Sequence, residues 1–175
     1  MSNILNAIIN IESNPVEKLK ATYSGSNSIN NIGEALELYV QDAFANTLSE
    51  TDKTIRNSKV EAVFSYLGNQ NNPPDIILQN GDAIEVKKIQ SKGSAIALNS
   101  SYPKHKLYAD DPKITDACRD CEKWEEKDII YAVGVVTRKE DLTHLWLVYG
   151  DCYAANKEIY ERVGKVIKEG VTEIP

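Results

Sequence analysis

Apolar residues recur along this chain with two different periods, and each change of period marks an element. Ile4, Leu5, Ile8 and Ile9 return on one face and predict a first helix, which Ser2 would cap and Asn14-Pro15 would end. A second short helix is expected from Pro15 to Ala21, followed by a polar loop from Ser24 to Asn31. Ile32, Ala35, Leu36, Tyr39, Val40, Ala43 and Phe44 then keep a helical stripe, predicting a helix from about Asn31 to Leu48. Beyond a polar stretch the period falls to two. Val60 to Leu67 reads as a strand with Ala62, Phe64 and Tyr66 on one side, and Gly68 to Asn72 as a loop. Pro73-Pro74 fixes an extended lead into Asp75 to Leu78, Asn80-Gly81 signals a hairpin, and Ala83 to Ile89 is the returning strand. A long loop from Gln90 to Lys113 and a helix from about Ile114 to Lys127 follow. Asp128 to Val136 has the unbroken apolar character of a central strand. His144 to Tyr149 reads as another strand and Asn156 to Lys168 as a closing helix.

This order predicts an α+β fold with a central mixed sheet flanked by helices. The chain has 175 residues, which suits one domain, with the N-terminal helices of residues 2–22 as an extension. No apolar run reaches the roughly 20 residues of a membrane span, and no basic stretch precedes the first apolar residues as in a secretory signal. Three cysteines fit a reducing cytoplasm better than a disulfide framework. The net charge of −6 argues against a nucleic-acid partner only if the charges are evenly spread, and they are not.

The chemistry is concentrated in Asp75, Glu85 and Lys87. Alternate strand residues share a face, so Glu85 and Lys87 point one way while Ile84 and Val86 point into the core. Asp75 joins them only in one register. A two-residue Asn80-Gly81 loop would set Asp75 opposite Val86; a three-residue loop of Gln79, Asn80 and a left-handed Gly81 would set it opposite Glu85. The three-residue loop is the one predicted, with the two Cβ atoms about 5 Å apart and able to share a cation. Asp75 and Glu85 are then hard oxygen ligands suited to Mg²⁺, and Lys87 is a point charge for a phosphate under attack. The plainer alternative is a surface hairpin with a solvated Glu-Lys pair.

Asp75, Glu85 and Lys87 resemble the signature of the PD-(D/E)xK nuclease superfamily, and the helix, three strands, helix, strand order resembles its core. That superfamily often adds an acidic residue from its first core helix. Here Glu37, four after Gly33, is favoured and Glu34 is the reserve, although either also serves as an ordinary first-turn glutamate. The likeness extends further. The runs Asn72 to Leu107 and Thr115 to Val136, with the N-terminal NILNAIINIESNP and NNIGEALELYV, are similar to NgoPII-type type II restriction endonucleases over nearly the whole chain. That resemblance implies Mg²⁺-dependent cleavage of double-stranded DNA at a short palindrome, GGCC, by a cytoplasmic homodimer. It also implies a cognate DNA methyltransferase acting on the same site, which need not bind this chain. Members of that family continue well past the residue equivalent to Pro175, which implies a further C-terminal part. Two rivals stand beside this reading: a DNA-binding or assembly module with a vestigial or truncated site, and a structure-specific or repair nuclease of the same superfamily.

Charge segregation supplies a DNA surface. Val86 to Tyr108 holds five lysines and no acid, whereas Ala109 to Asp128 holds eight acids against four bases. Lys88, Lys92, Lys104 and Lys106 are expected to meet DNA, and Asn99, Ser100 and Ser101 to read bases in a recognition loop. Cys118 and Cys121 are read as small buried helix residues beside Trp124 rather than half a zinc site. Tyr131, Trp146 and Tyr149 are read as core, and residues 116–128 as a solvated acidic helix face.

Overall fold

The computed structural model describes residues 2–16, 18–19, 23, 32–69, 71–96 and 103–172. Helix α1 spans Ile4–Ser13, α2 Ile32–Ala45 and α3 Lys53–Val63. Strands β1 (Phe64–Asn69), β2 (Asn72–Leu78), β3 (Ala83–Ile89) and β4 (Lys106–Tyr108) follow, then a single turn of helix α4 (Asp116–Arg119). Strands β5 (Glu126–Val136) and β6 (Leu142–Tyr149), a 3-10 turn (Gly150–Cys152) and helix α5 (Lys157–Thr172) complete it.

The strands form one mixed sheet. β1, β2 and β3 are joined antiparallel, and β5 lies parallel to β3 with Glu85 beside Tyr131 and Lys87 beside Val133. The other edge of β5 is shared, β4 pairing with residues 126–128 and β6 with residues 130–136. A strand hydrogen-bonded on both edges and packed on both faces must be apolar throughout, which is why Ile129 to Val136 is buried at every position. One face carries Ile76, Ile84, Val86, Ile130 and Ala132 against Ala7, Leu36, Tyr39 and Val40 of α1 and α2. The other joins Ile77, Ala83, Tyr131 and Val133 to Leu107, Ile114 and Cys118. The expected mixed sheet flanked by helices is the observed fold.

Several expected boundaries are corrected. The first helix is capped by Asn3, whose side chain accepts the Asn6 N–H, while the Ser2 hydroxyl donates to the Phe44 carbonyl at 2.6 Å. The second short helix, over Pro15 to Ala21, lies largely outside the described residues. Helix α3 occupies what was read as a polar stretch and the start of a strand. Asp52 caps it through the Thr54 and Ile55 N–H groups, and only Val60 is buried, so no apolar stripe announced it. The helix expected from Ile114 to Lys127 is a single turn. Lys127 is drawn into β5 instead, its ammonium bonding Glu122 and the Gly81 carbonyl. The long loop contains β4, which a pairing 20 residues away creates. Helix α5 runs four residues further than expected and buries none of its residues.

The turn between β1 and β2 is tighter than the GNQNN loop predicted, because the Asn69 side chain accepts the N–H groups of Asn71 and Asn72. Between the pairs Leu67–Ile76 and Asn69–Asn72, Gly68 alone faces Pro73, Pro74 and Asp75. The β2 backbone bulges onto this glycine so closely that a Cβ there would fall 2.4 Å from the Pro74 carbonyl oxygen. Gly68→Ala is therefore expected to destabilise the protein by about 1–3 kcal/mol, read as a lower thermal midpoint. A midpoint equal to the parent's would show that the bulge relaxes without cost.

Candidate active site

The β2–β3 hairpin has the register that brings the carboxylates together. Ile76 pairs with Ile84 and Ile77 with Ala83, and the Leu78 N–H donates to the Asp82 carbonyl at 2.9 Å, leaving a loop of Gln79, Asn80 and Gly81. The left-handed residue is Asn80, with φ of 54°, rather than Gly81 as expected. Asparagine tolerates that region, and Glu122 holds its N–H at 2.9 Å.

Regular pairing stops at Ile76. In a continued ladder the Val86 N–H would reach the Pro74 carbonyl, but the bulge opposite Gly68 has turned that segment away. Asp75 Oδ2 accepts the Val86 N–H instead, at 2.6 Å. The bond fixes one carboxylate oxygen beside β3, next to Glu85 and Lys87. Lys87 Nζ donates to Glu85 Oε1 at 2.5 Å, and the second oxygen, Oε2, is buried with no hydrogen-bond partner among the described residues. A buried carboxylate oxygen left without a donor is costly in isolation. Ile84 and Val86, between these residues, are buried against α2 as expected.

The electrostatics match that crowding. Burial first, then the charges of Glu85 and Glu37, push the Asp75 carboxyl up to about 8, against the opposing Val86 N–H and Lys87. Burial likewise raises Glu37, Glu34 and Glu85 adding to it while Lys87 opposes. Burial draws the Lys87 ammonium down, but Glu85, Asp75 and Glu37 together leave it raised and charged at neutral pH. Glu37 on α2 thus lies within the field of Lys87 and Glu85, and Glu34 acts on it from the flank.

Three acids around one lysine cannot all ionise without a further cation, which is why Asp75 and Glu37 hold their protons more tightly than free carboxyls do. Among the described residues no three His, Cys, Asp or Glu side chains stand close enough to hold a metal ion by themselves. The donor set is nevertheless suited to a hard cation that keeps waters and takes its remaining ligands from a phosphate. Asp75 and Glu85 supply carboxylates, and Glu85 Oε2 is an oxygen in want of a positive partner.

The basic segment is placed less simply. Lys88 and Lys92 are exposed. Lys104 is buried, its ammonium on Asp111 at 2.5 Å, a position in the frame beneath β4 rather than on the surface. Lys106 lies between Glu126 at 2.9 Å and Asp128 at 3.3 Å. The segregation of charge along the chain is undone by the β4–β5 pairing, which lays the acidic segment against the basic one. Asn99, Ser100 and Ser101 lie outside the described residues. Cys118 is buried in the core as expected, and burial pushes its thiol up to about 12.

Tyrosines at the site were not anticipated. Tyr131 is the β5 neighbour of Glu85 and shares its face, and Tyr153 stands edge-on to it with ring centroids 5.2 Å apart. Parallel pairing of β3 with β5 would have revealed Tyr131, but Tyr153 enters only through the fold of the 3-10 turn. Among the described residues, no helix is long and apolar enough to cross a membrane.

Comparison with known proteins gives the family of the chain. The chain is 55% identical over 174 residues to "Type II restriction enzyme NgoPII" of Neisseria gonorrhoeae, a match covering 98% of this chain. It spans 62% of that relative's length. No solved structure matches. The model of the NgoPII restriction endonuclease family matches residues 2–175, and the chain belongs to that family.

Proposed function

We propose that this chain is the nuclease domain of a metal-dependent type II restriction endonuclease that cuts both strands of DNA at a short palindrome, GGCC. The observation that carries the reading is the convergence of Asp75 and Glu85 across the β2–β3 hairpin, with Glu85 Oε2 buried and unpartnered among the described residues and Lys87 on the same face. Asp75 and Glu85 would hold Mg²⁺. Bound there, the ion would polarise the scissile phosphate and lower the pKa of a coordinated water. Lys87, protonated at neutral pH, releases Glu85 and places its charge against the phosphate as negative charge accumulates. Glu37, whose raised pKa suits proton exchange, holds the outer edge of the site and can accept a proton from water. Lys88 and Lys92 meet the DNA backbone, where salt would weaken them. Residues 99–101 are assigned to base contact, and Lys104 and Lys106 to the frame supporting that segment. A palindromic target calls for a two-fold dimer whose two sites cut opposite strands.

A GGCC-bearing plasmid incubated with the protein and Mg²⁺ tests this. Discrete fragments are expected, with ends mapping to GGCC, and they should vanish with EDTA and with Lys87→Ala. Retarded but uncut DNA would make the chain a binding module. Ends mapping away from GGCC would make it a structure-specific nuclease.

A further inference from the structure

The 3-10 turn after β6 returns the chain to the face of the sheet that carries Glu85 and Lys87. Gly150 seats the turn so tightly that a Cβ there would lie 2.3 Å from the Lys104 carbonyl oxygen, which fixes where the following residues emerge. Tyr153, next after the turn, stacks edge-on to Tyr131 at 5.2 Å and 82°. Tyr131 is spent internally, its buried hydroxyl accepting the Lys104 N–H at 2.7 Å. Tyr153 differs. It is 44% exposed, and its hydroxyl makes no hydrogen bond among the described residues. Lys87 and Glu85 both act electrostatically on its phenol, so ring and catalytic pair face the same space. The register says the same, because Tyr131, which carries the Tyr153 ring, is the direct neighbour of Glu85.

We propose that Tyr153 is a further active-site residue whose hydroxyl donates a hydrogen bond to a non-bridging oxygen of the DNA phosphate that Lys87 faces. The inference rests on the nuclease reading above. Chemically the group is apt. Burial and Tyr160 raise the phenol, so it stays a donor at neutral pH, and an anionic phosphate takes donors only. A bond to a charged oxygen, strengthening as charge develops on the phosphorus centre, acts mainly on the rate rather than on binding. Its edge-on contact with Tyr131 holds the ring, so little rotamer freedom is lost when substrate arrives.

Tyr153→Phe removes only the hydroxyl. Single-turnover cleavage of a GGCC duplex with Mg²⁺ is expected to slow by about 10–100-fold. Affinity for the same duplex in EDTA should change less than about threefold, and the thermal midpoint should match the parent's. A role limited to packing would leave Tyr153→Phe at the parent's rate, with loss only in Tyr153→Ala, and that outcome overturns the proposal. Lys87→Ala in parallel separates the two readings. Cutting that depends on Lys87 but is indifferent to Tyr153→Phe sinks this inference alone, whereas a parent that never cuts removes both.

Discussion

Asp75→Asn is expected to abolish DNA cleavage and, without metal, to yield a protein that melts above its parent at pH 8. Both effects come from one carboxyl. Its ordinary value is 3.8, and burial with the nearby charges of Glu85 and Glu37 raises it to about 8 in the fold. The folded chain therefore keeps a proton that the unfolded chain has lost over that interval. Unfolding releases a proton there, so stability falls as pH rises from about 4 towards 8. Asparagine imitates the protonated carboxyl and keeps an oxygen for the Val86 N–H, but it never ionises. The two proteins should coincide near pH 4 and diverge above it by at most about 1.4 kcal/mol per pH unit, so that by pH 8 the variant melts several degrees or more above its parent. Divalent cation should reverse the order, because binding to the ionised site stabilises only the parent. Cleavage should fall at least about a thousandfold, the loss of a cation ligand being worth several kcal/mol at the transition state. Melting curves at pH 4, 6 and 8, with and without Mg²⁺, decide the matter. A pH-independent difference, or a variant less stable at pH 8, would remove this account of Asp75.

The raised acid also explains a feature of the sequence. An apolar strand holding Glu85 and Lys87 is unfavourable as structure, and the hairpin adds a third acid, which gives up its charge rather than relieving the first two. Such a conflict between local stability and charge placement is expected where a cation or substrate completes the site.

The site was legible because its geometry is local. Only nine residues of hairpin separate Asp75 from Glu85, the alternation of β3 fixes which side chains share a face, and loop length fixes the register. Even there, the left-handed position went to Asn80 rather than Gly81, since both residues tolerate it and Glu122, which accepts the Asn80 N–H, lies 42 residues away. Elements made by distant partners were hidden. Strand β4 exists because Lys106 to Tyr108 meet Glu126 to Asp128, and the acidic stretch gives up its helix to make that pairing. The basic stripe fails as a simple DNA surface for the same reason. Sequence showed where its lysines were, but not that Asp111, Glu126 and Asp128 would face two of them. Helix α3, polar on nearly every side, left only its Asp52 cap as a signal.

That helix is held by a buried acid, Asp42, and Asp42→Ala is expected to be among the most destabilising single substitutions outside the site. Asp42 is 3% exposed near the end of α2. It accepts the Thr47 hydroxyl at 2.6 Å and the Tyr23 hydroxyl at 3.0 Å, and pairs with Arg56 of α3 at 2.9 Å. Burial and then Asp42 itself push the Tyr23 phenol far above its usual range, so it remains a donor to the carboxylate. One carboxylate thus joins α2, which carries Glu37, to α3, which leads directly into β1 and the bulge that aims Asp75. Alanine would leave the Arg56 guanidinium and two hydroxyls without their acceptor. Breaking a buried pair from one side costs about 3–5 kcal/mol. The lower end applies here, because a quarter of the Arg56 side chain still reaches water. Urea unfolding should show a reduced midpoint at unchanged slope. Arg56→Met should cost less, since Asp42 would keep both hydroxyls, and the double variant should be less damaging than the sum. Well below its midpoint, Asp42→Ala should cut DNA at the parent's rate, which would separate a residue that supports the site from one that acts in it. Strictly additive losses would show that Asp42 and Arg56 do not act as a pair.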